Sequence, residues 1–261
     1  MLLELMVNFF IYGFYYPGSQ WHQILISIAL AIAFAAIWLT GYWTPVLKKP
    51  WAWAVLAGSA FLSWMVVAFI QIPLQYWCNQ AIDYIWGQRI YIQYLLLAGI
   101  PGILVSGLVQ EGSKLVPVVI YWWRSGRNIS PGLGLALGAV AGAGLGIFEA
   151  TWLHNAILSS GWDSTSLMGF AERFFSIALH IGLSAIAGYR LAKGWGWQSY
   201  LVVALIHAVN NYGSLLLQAG LLSLGGVEIY FAVVALLVTA GALWIRWKIL
   251  ADTAENTIQY E

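Results

Sequence analysis

Polar and apolar positions along this chain do not alternate at the period of a soluble helix or strand. Instead the polar residues gather at the ends of long apolar runs. Inside a bilayer periodicity carries little information, so the elements are placed by length, by sparse charge and by Gly/Pro punctuation. Seven runs emerge: Ile24–Tyr42, Trp53–Trp77, Ile90–Trp123, Gly132–Leu153, Phe170–Tyr189, Trp197–Gln218 and Val227–Trp247. Each has about the 20 residues a helix needs to cross the hydrocarbon core. The pattern predicts an all-α, polytopic transmembrane helical bundle of about seven spans. The third run is too long for one straight crossing, since a continuous helix would reach ~50 Å at 1.5 Å per residue. Pro101-Gly102 offers a break, so a kinked helix and a broken pair are both open.

Composition agrees: 61% of residues are hydrophobic, 8% are charged, and mean hydropathy is +0.79. A net charge of +1 gives no electrostatic footprint for nucleic acid, so the expected partners are the lipid bilayer and other membrane proteins. The lone cysteine, Cys78, excludes an internal disulfide and a cysteine zinc framework. Residues 1–23 read as a retained interfacial segment: Met6–Tyr16 is apolar, but Glu4 stands where a signal peptide has basic residues. Residues 24–250 then form one membrane domain, and 251–261 a free cytoplasmic tail.

Alternating the seven spans puts Lys48, Lys49, Arg124, Arg127, Arg190, Lys193, Arg246 and Lys248 on one side, 8 of the 11 basic residues. That side is expected to be cytoplasmic, with the N-terminus out and the C-terminus in. Arg89, Arg173, Asp83, Asp163, Glu172 and Glu228 fall on the other face.

Several ionisable residues sit inside the apolar runs. A charge at the bilayer centre costs a few kcal/mol on the lowest scales, ~2.5–3.5 for Lys or Asp, so it persists where it pairs or works. Glu111 lies ~20 Å from the end marked by Arg124, Glu149 ~27 Å from Pro131, His180 ~15 Å from Arg190 and His207 ~20 Å from Lys193. The four are expected to meet in the outer half of the bilayer. His207 and Asn211 share a helix face, as do Gln110 and Lys114. The set offers a carboxylate to activate water, imidazoles to move protons and an amide to hold an oxyanion, the roles peptide hydrolysis needs. Taken singly the residues have plainer readings: Glu111 and Lys114 as a self-neutralising i,i+3 pair, His180 as an interhelical hydrogen bonder, Glu149 reaching the outer interface. Gly134, Gly138, Gly142 and Gly146 form a ridge of small residues that admits a neighbouring helix; by itself it signals packing.

Gln110-Glu111-Gly112-Ser113-Lys114 resembles the Glu-Glu-x-x-Lys motif of the PrsW family of intramembrane proteases, distant relatives of the CAAX-prenyl endoproteases and bacteriocin-processing enzymes. Gly144 to Glu149 is similar to that family's second motif, His180-x7-Gly188 to its third, and His207-Ala-Val-Asn210-Asn211 to its fourth. Lys48-Lys49-Pro50-Trp51 looks like the opening of its second span. The resemblance implies an endopeptidase of a bacterial plasma membrane that cuts a membrane-anchored protein. Glu111 would activate water with His180, His207 and Asn211 would hold the oxyanion, Lys114 would stabilise the carboxylate, and Glu149 would stand in the second acidic position. Two positions depart from the pattern: Gln110 replaces the first glutamate, and Leu145 the phenylalanine of the second motif. Glutamine takes no proton, so either Glu111 or Glu149 assumes the role or the chain is an inactive relative, a structural or regulatory subunit of a membrane complex. No cofactor is expected. If a metal were bound, zinc on Glu111, His180 and His207 is the open reading, although no His-x-x-x-His or His-Glu-x-x-His spacing is present. A proton or solute pathway is a weaker third reading, because inverted repeats are not apparent.

Overall fold

The computed structural model describes residues 1–12, 18–43, 45–161 and 166–258, with the backbone alone for 46 and 252–258. Asp163, assigned to the outer face, and the end of the tail at 259–261 lie outside the described residues. Among the described residues the chain is an all-α polytopic bundle without strands. Seven helical segments are long and apolar enough to cross a bilayer, and the protein is an integral membrane protein.

The helices run in chain order as α1 (Leu2–Tyr12), α2 (Trp21–Thr40), α3 (Pro50–Val66), α4 (Ile72–Trp86), α5 (Gln88–Gln93), α6 (Leu95–Ala98), α7 (Ile100–Arg124), α8 (Pro131–Ser160), α9 (Ser166–Ala192), α10 (Gly196–Gln218) and α11 (Leu224–Ile258). The second crossing spans Pro50–Trp86, further than expected. Its polar stretch Cys78-Asn79-Gln80 stays helical, and the stop comes at Gly87, whose φ of 76° only glycine adopts cheaply. Within it Val67–Gln71 forms a π turn. Pro73 explains the turn: it lacks an N–H, and its ring would clash with the carbonyl four residues back.

The third crossing is a broken one. Its hydrogen-bonded run is interrupted at Tyr94 and again at Gly99, two residues ahead of the expected break, so that Pro101 falls in the first turn of α7. A side chain at residue 99 would meet Leu215 at 2.3 Å. The last helix continues through 258, past the expected boundary at 250. Nothing after Ile249 breaks a helix, and Ala251 and Ala254 favour one.

The centre of the bundle is α8, buried on nearly every side by α9, α3 and α2. Ser130 caps it, its hydroxyl accepting from the Leu133 amide at 3.2 Å, with Pro131 as the first helical residue. The glycine ridge faces α9: a Cβ at Gly138 would stand 1.9 Å from the Ser184 carbonyl oxygen, and one at Gly142 2.1 Å from that of His180. The two backbones therefore touch, which fixes α8 and α9 as one unit and sets Glu149 opposite His180. Around this unit Ala31, Ala35, Ala139, Ala143, Ile177 and Ile181 build the main apolar core.

Candidate functional site

Four helices bring one polar side-chain set together. From α7, Glu111 and Lys114 are fully buried, one turn apart, and the Lys114 ammonium donates to Glu111 Oε1 at 2.5 Å. From α10, His207 Nδ1 lies 2.7 Å from the same oxygen. From α9, His180 presents Nδ1 to the Lys114 ammonium at 3.3 Å and Nε2 to Glu149 Oε2 of α8 at 3.1 Å. The two imidazole rings stand 5.2 Å apart, centroid to centroid.

Donor and acceptor chemistry fixes the tautomers. An ammonium has no lone pair, so His180 Nδ1 accepts from Lys114, and its Nε2–H donates to the Glu149 carboxylate. His207 faces a carboxylate through Nδ1, so Nδ1–H donates and the lone pair falls on Nε2. His180 is thus committed at both nitrogens, whereas His207 keeps one nitrogen for a reacting molecule. Glu111 pairs with His207 and Glu149 with His180, because the glycine contact ties α8 to α9 while a second close contact ties α7 to α10. There a Cβ at Gly107 would meet the Ala204 carbonyl oxygen at 2.3 Å.

A cavity of about 580 Å³ opens beside this set, its walls including Gln110, Glu149, His180, His207, Asn210 and Asn211. That size suits a ligand of a few residues. The lining continues through Trp152, Met168, Leu217 and Leu224 toward the end of the bundle holding the α8–α9 and α10–α11 connections. Glu111 and Lys114 are not part of the wall; they sit behind it and reach the cavity through His207 and His180. The residue of the paired motif that faces the cavity is Gln110, whose amide oxygen is buried without a partner, as is that of Asn210. Asn211 lines the cavity too, but its amide nitrogen is engaged with Ser106 Oγ at 3.0 Å.

Arg173, read from sequence only as an outer-face charge, belongs to the site. Its guanidinium lies 3.4 Å from Glu149 Oε2 and is also paired with its neighbour Glu172. Glu149 therefore ends in a polar cluster with His180 and Arg173. The polar pair Glu172-Arg173 near the start of an otherwise apolar run was the signal that marked it.

Glu111, His180 and His207 offer ligand atoms that all lie within 4.8 Å of one another, the same three residues the zinc reading names. The Lys114 ammonium already lies between Glu111 Oε1 and His180 Nδ1. A divalent ion there would have to expel a buried cation, so these residues fit an internal ammonium better than zinc.

Compared with protein-family models, curated proteins and solved structures, the chain finds no match.

Proposed function

We propose that the protein is a PrsW-like intramembrane endopeptidase that cuts a membrane-anchored protein with water activated by a glutamate–histidine pair. The observation that carries this reading is the Glu111–His207 contact at 2.7 Å behind a wall of the cavity. A buried carboxylate that orients an imidazole and stabilises its protonated form makes the free Nε2 a general base. In the proposed sequence a water between His207 Nε2 and the scissile carbonyl loses its proton to Nε2 as its oxygen bonds to the carbonyl carbon. The oxyanion forms beside the amides of Gln110, Asn210 and Asn211. His207 then returns the proton to the leaving amine as the C–N bond breaks. Lys114 holds Glu111 ionised and Glu149 orients His180, which packs against the working imidazole. This assignment moves the base from the first motif position, where Gln110 stands, to the second carboxylate acting through histidine. With the basic ends of the helices in the cytoplasm, the cavity opens to the outer face of a bacterial plasma membrane, and the N-terminus lies outside.

A specific observation favours a second reading. Gln110 places a group that takes no proton on the cavity wall, where the motif has its base, and a relative that binds without cutting would look the same. Quantitative N-terminal proteomics of membranes carrying the parent chain, Glu111→Ala or Gln110→Glu separates the two. Protein termini that appear with the parent and vanish with Glu111→Ala are the expected result. Termini seen only with Gln110→Glu would make the chain a silenced protease retained for binding.

A further inference from the structure

A second cavity, of about 390 Å³, lies on the far side of α10 from the catalytic one, and Asn211 and Ser214 belong to the walls of both. Its remaining polar lining comes from Gln75, Asn79, Tyr91, Ser106 and Gln218, one or two residues from each of several helices. Every one is an uncharged donor or acceptor. Ile103 and Leu215 supply the apolar part of the wall, and no Lys, Arg, Asp or Glu lines it among the described residues.

Polar side chains carry a desolvation cost where they are buried without partners. Some are met within the protein. Gln75 Nε2 donates to the Gly102 carbonyl at 2.8 Å, beside the break that opens α7, and Asn211 Nδ2 donates to Ser106 Oγ. Behind them Gln71, on the π turn, is over nine-tenths buried, yet its amide oxygen has no partner. Gln71 Nε2 in turn donates to Gln75 Oε1 at 3.4 Å and to Ser106 Oγ at 3.5 Å, so the capacity left for a ligand lies in the exposed side chains of Asn79, Ser214 and Gln218.

The charge pattern selects the ligand. An anionic lipid headgroup calls for Arg or Lys and a cation for carboxylates; this wall has neither. A chain of peptide groups is neutral, alternates donors with acceptors and, once unwound from a helix, exposes both to partners of this kind. We infer that this cavity is a binding site for the main chain of a locally unwound peptide segment, sharing the wall residues Asn211 and Ser214 with the catalytic cavity. The inference rests on the protease reading for its purpose: a transmembrane helix must unwind before its carbonyl is open to attack, and amide side chains here replace the helical hydrogen bonds it gives up.

The test measures binding, not cleavage, so that the two readings fail separately. The full chain is placed in nanodiscs and titrated with fluorescently labelled Leu/Ala peptides of about 20 residues, enough to span the bilayer. One is uninterrupted and one carries a central Gly-Gly-Asn. The interrupted peptide is expected to bind the more tightly. Gln75→Leu with Asn79→Leu is expected to weaken it about five- to tenfold, the loss of roughly one net hydrogen bond, without weakening the uninterrupted peptide. Gln218→Leu, at an exposed helix end where folding is not at stake, should act in the same direction. Equal affinity for the two peptides, or an interrupted-peptide affinity that survives all three leucines, would overturn the inference. Displacement of the peptide by an anionic lipid added at the same concentration would overturn it too and reassign the cavity to lipid. A parent chain that discriminates the peptides yet produces no new termini in cells would keep this site and remove the protease.

Discussion

The α8–α9 half of the bundle and the α4–α7–α10 half handle polar residues in opposite ways. In the first, glycine brings two backbones into contact, and Glu149 and His180 are held by a regular, continuous pair of helices against one wall of the larger cavity. In the second, the helices carry a π turn and two breaks, and amide and hydroxyl side chains line an open cavity. The polar set of Glu111, Lys114, His180 and His207 lies at the seam. The difference teaches that close backbone contact and open polar lining fall to different segments: the α8–α9 contact fixes Glu149 and His180, the Gly107 contact fixes Glu111 and His207 of α7 and α10, and the irregular stretches around α4 and the start of α7 leave uncharged polar groups around a cavity.

The sharpest way to break this arrangement is to remove one member of the buried charge pair. Glu111→Ala leaves the Lys114 ammonium buried with only an imidazole partner and should cost about 3–5 kcal/mol in denaturant melts. Lys114→Met should cost less, because His207 still donates to the carboxylate. The double change Glu111→Leu with Lys114→Met removes both charges and should restore most of the stability while cleavage stays lost; a double variant as unstable as Glu111→Ala would contradict the pairing. Next in size is the glycine contact. Gly142→Ala should destabilise by about 1–3 kcal/mol and depress activity by shifting His180. Gly241→Ala, with open space around it, should be neutral or gain up to about 1 kcal/mol, and thermal melts of the two side by side check the contrast. A loss similar to that of Gly142→Ala is expected at Arg173, which pairs with both Glu149 and Glu172 and is less than one-fifth exposed: Arg173→Met should cost about 1–3 kcal/mol, readable as a fall in melting temperature.

Much of this was legible from the order of residues. Apolar runs located all seven crossings, and the cost of intramembrane charge singled out Glu111, Lys114, Glu149, His180 and His207, which do converge. The crossing ends were harder, because hydropathy sees Asn79 and Gln80 as a boundary while the backbone sees only helix formers until Gly87. Rotational register was hidden too. Adjacent residues Gln110 and Glu111 point to different surroundings, one to the cavity and one to the hub behind it, and nothing short of the packing of α7 on α10 decides which. The histidine pairing depended on the same packing. The second cavity was hidden for another reason: each wall residue is unremarkable in its own helix, and the set exists only after several segments meet.

The spacing of Glu111 and Lys114 has a consequence for biogenesis. Being one turn apart on the same helix, they can neutralise one another while α7 is still leaving the insertion machinery, before any other helix has arrived. The segment enters lipid as a dipole and not as two separate charges. His207, supplied by a helix made nearly a hundred residues later, then docks onto a carboxylate already in place. The order of synthesis thus permits the centre to assemble with the charge pair first and the histidine second.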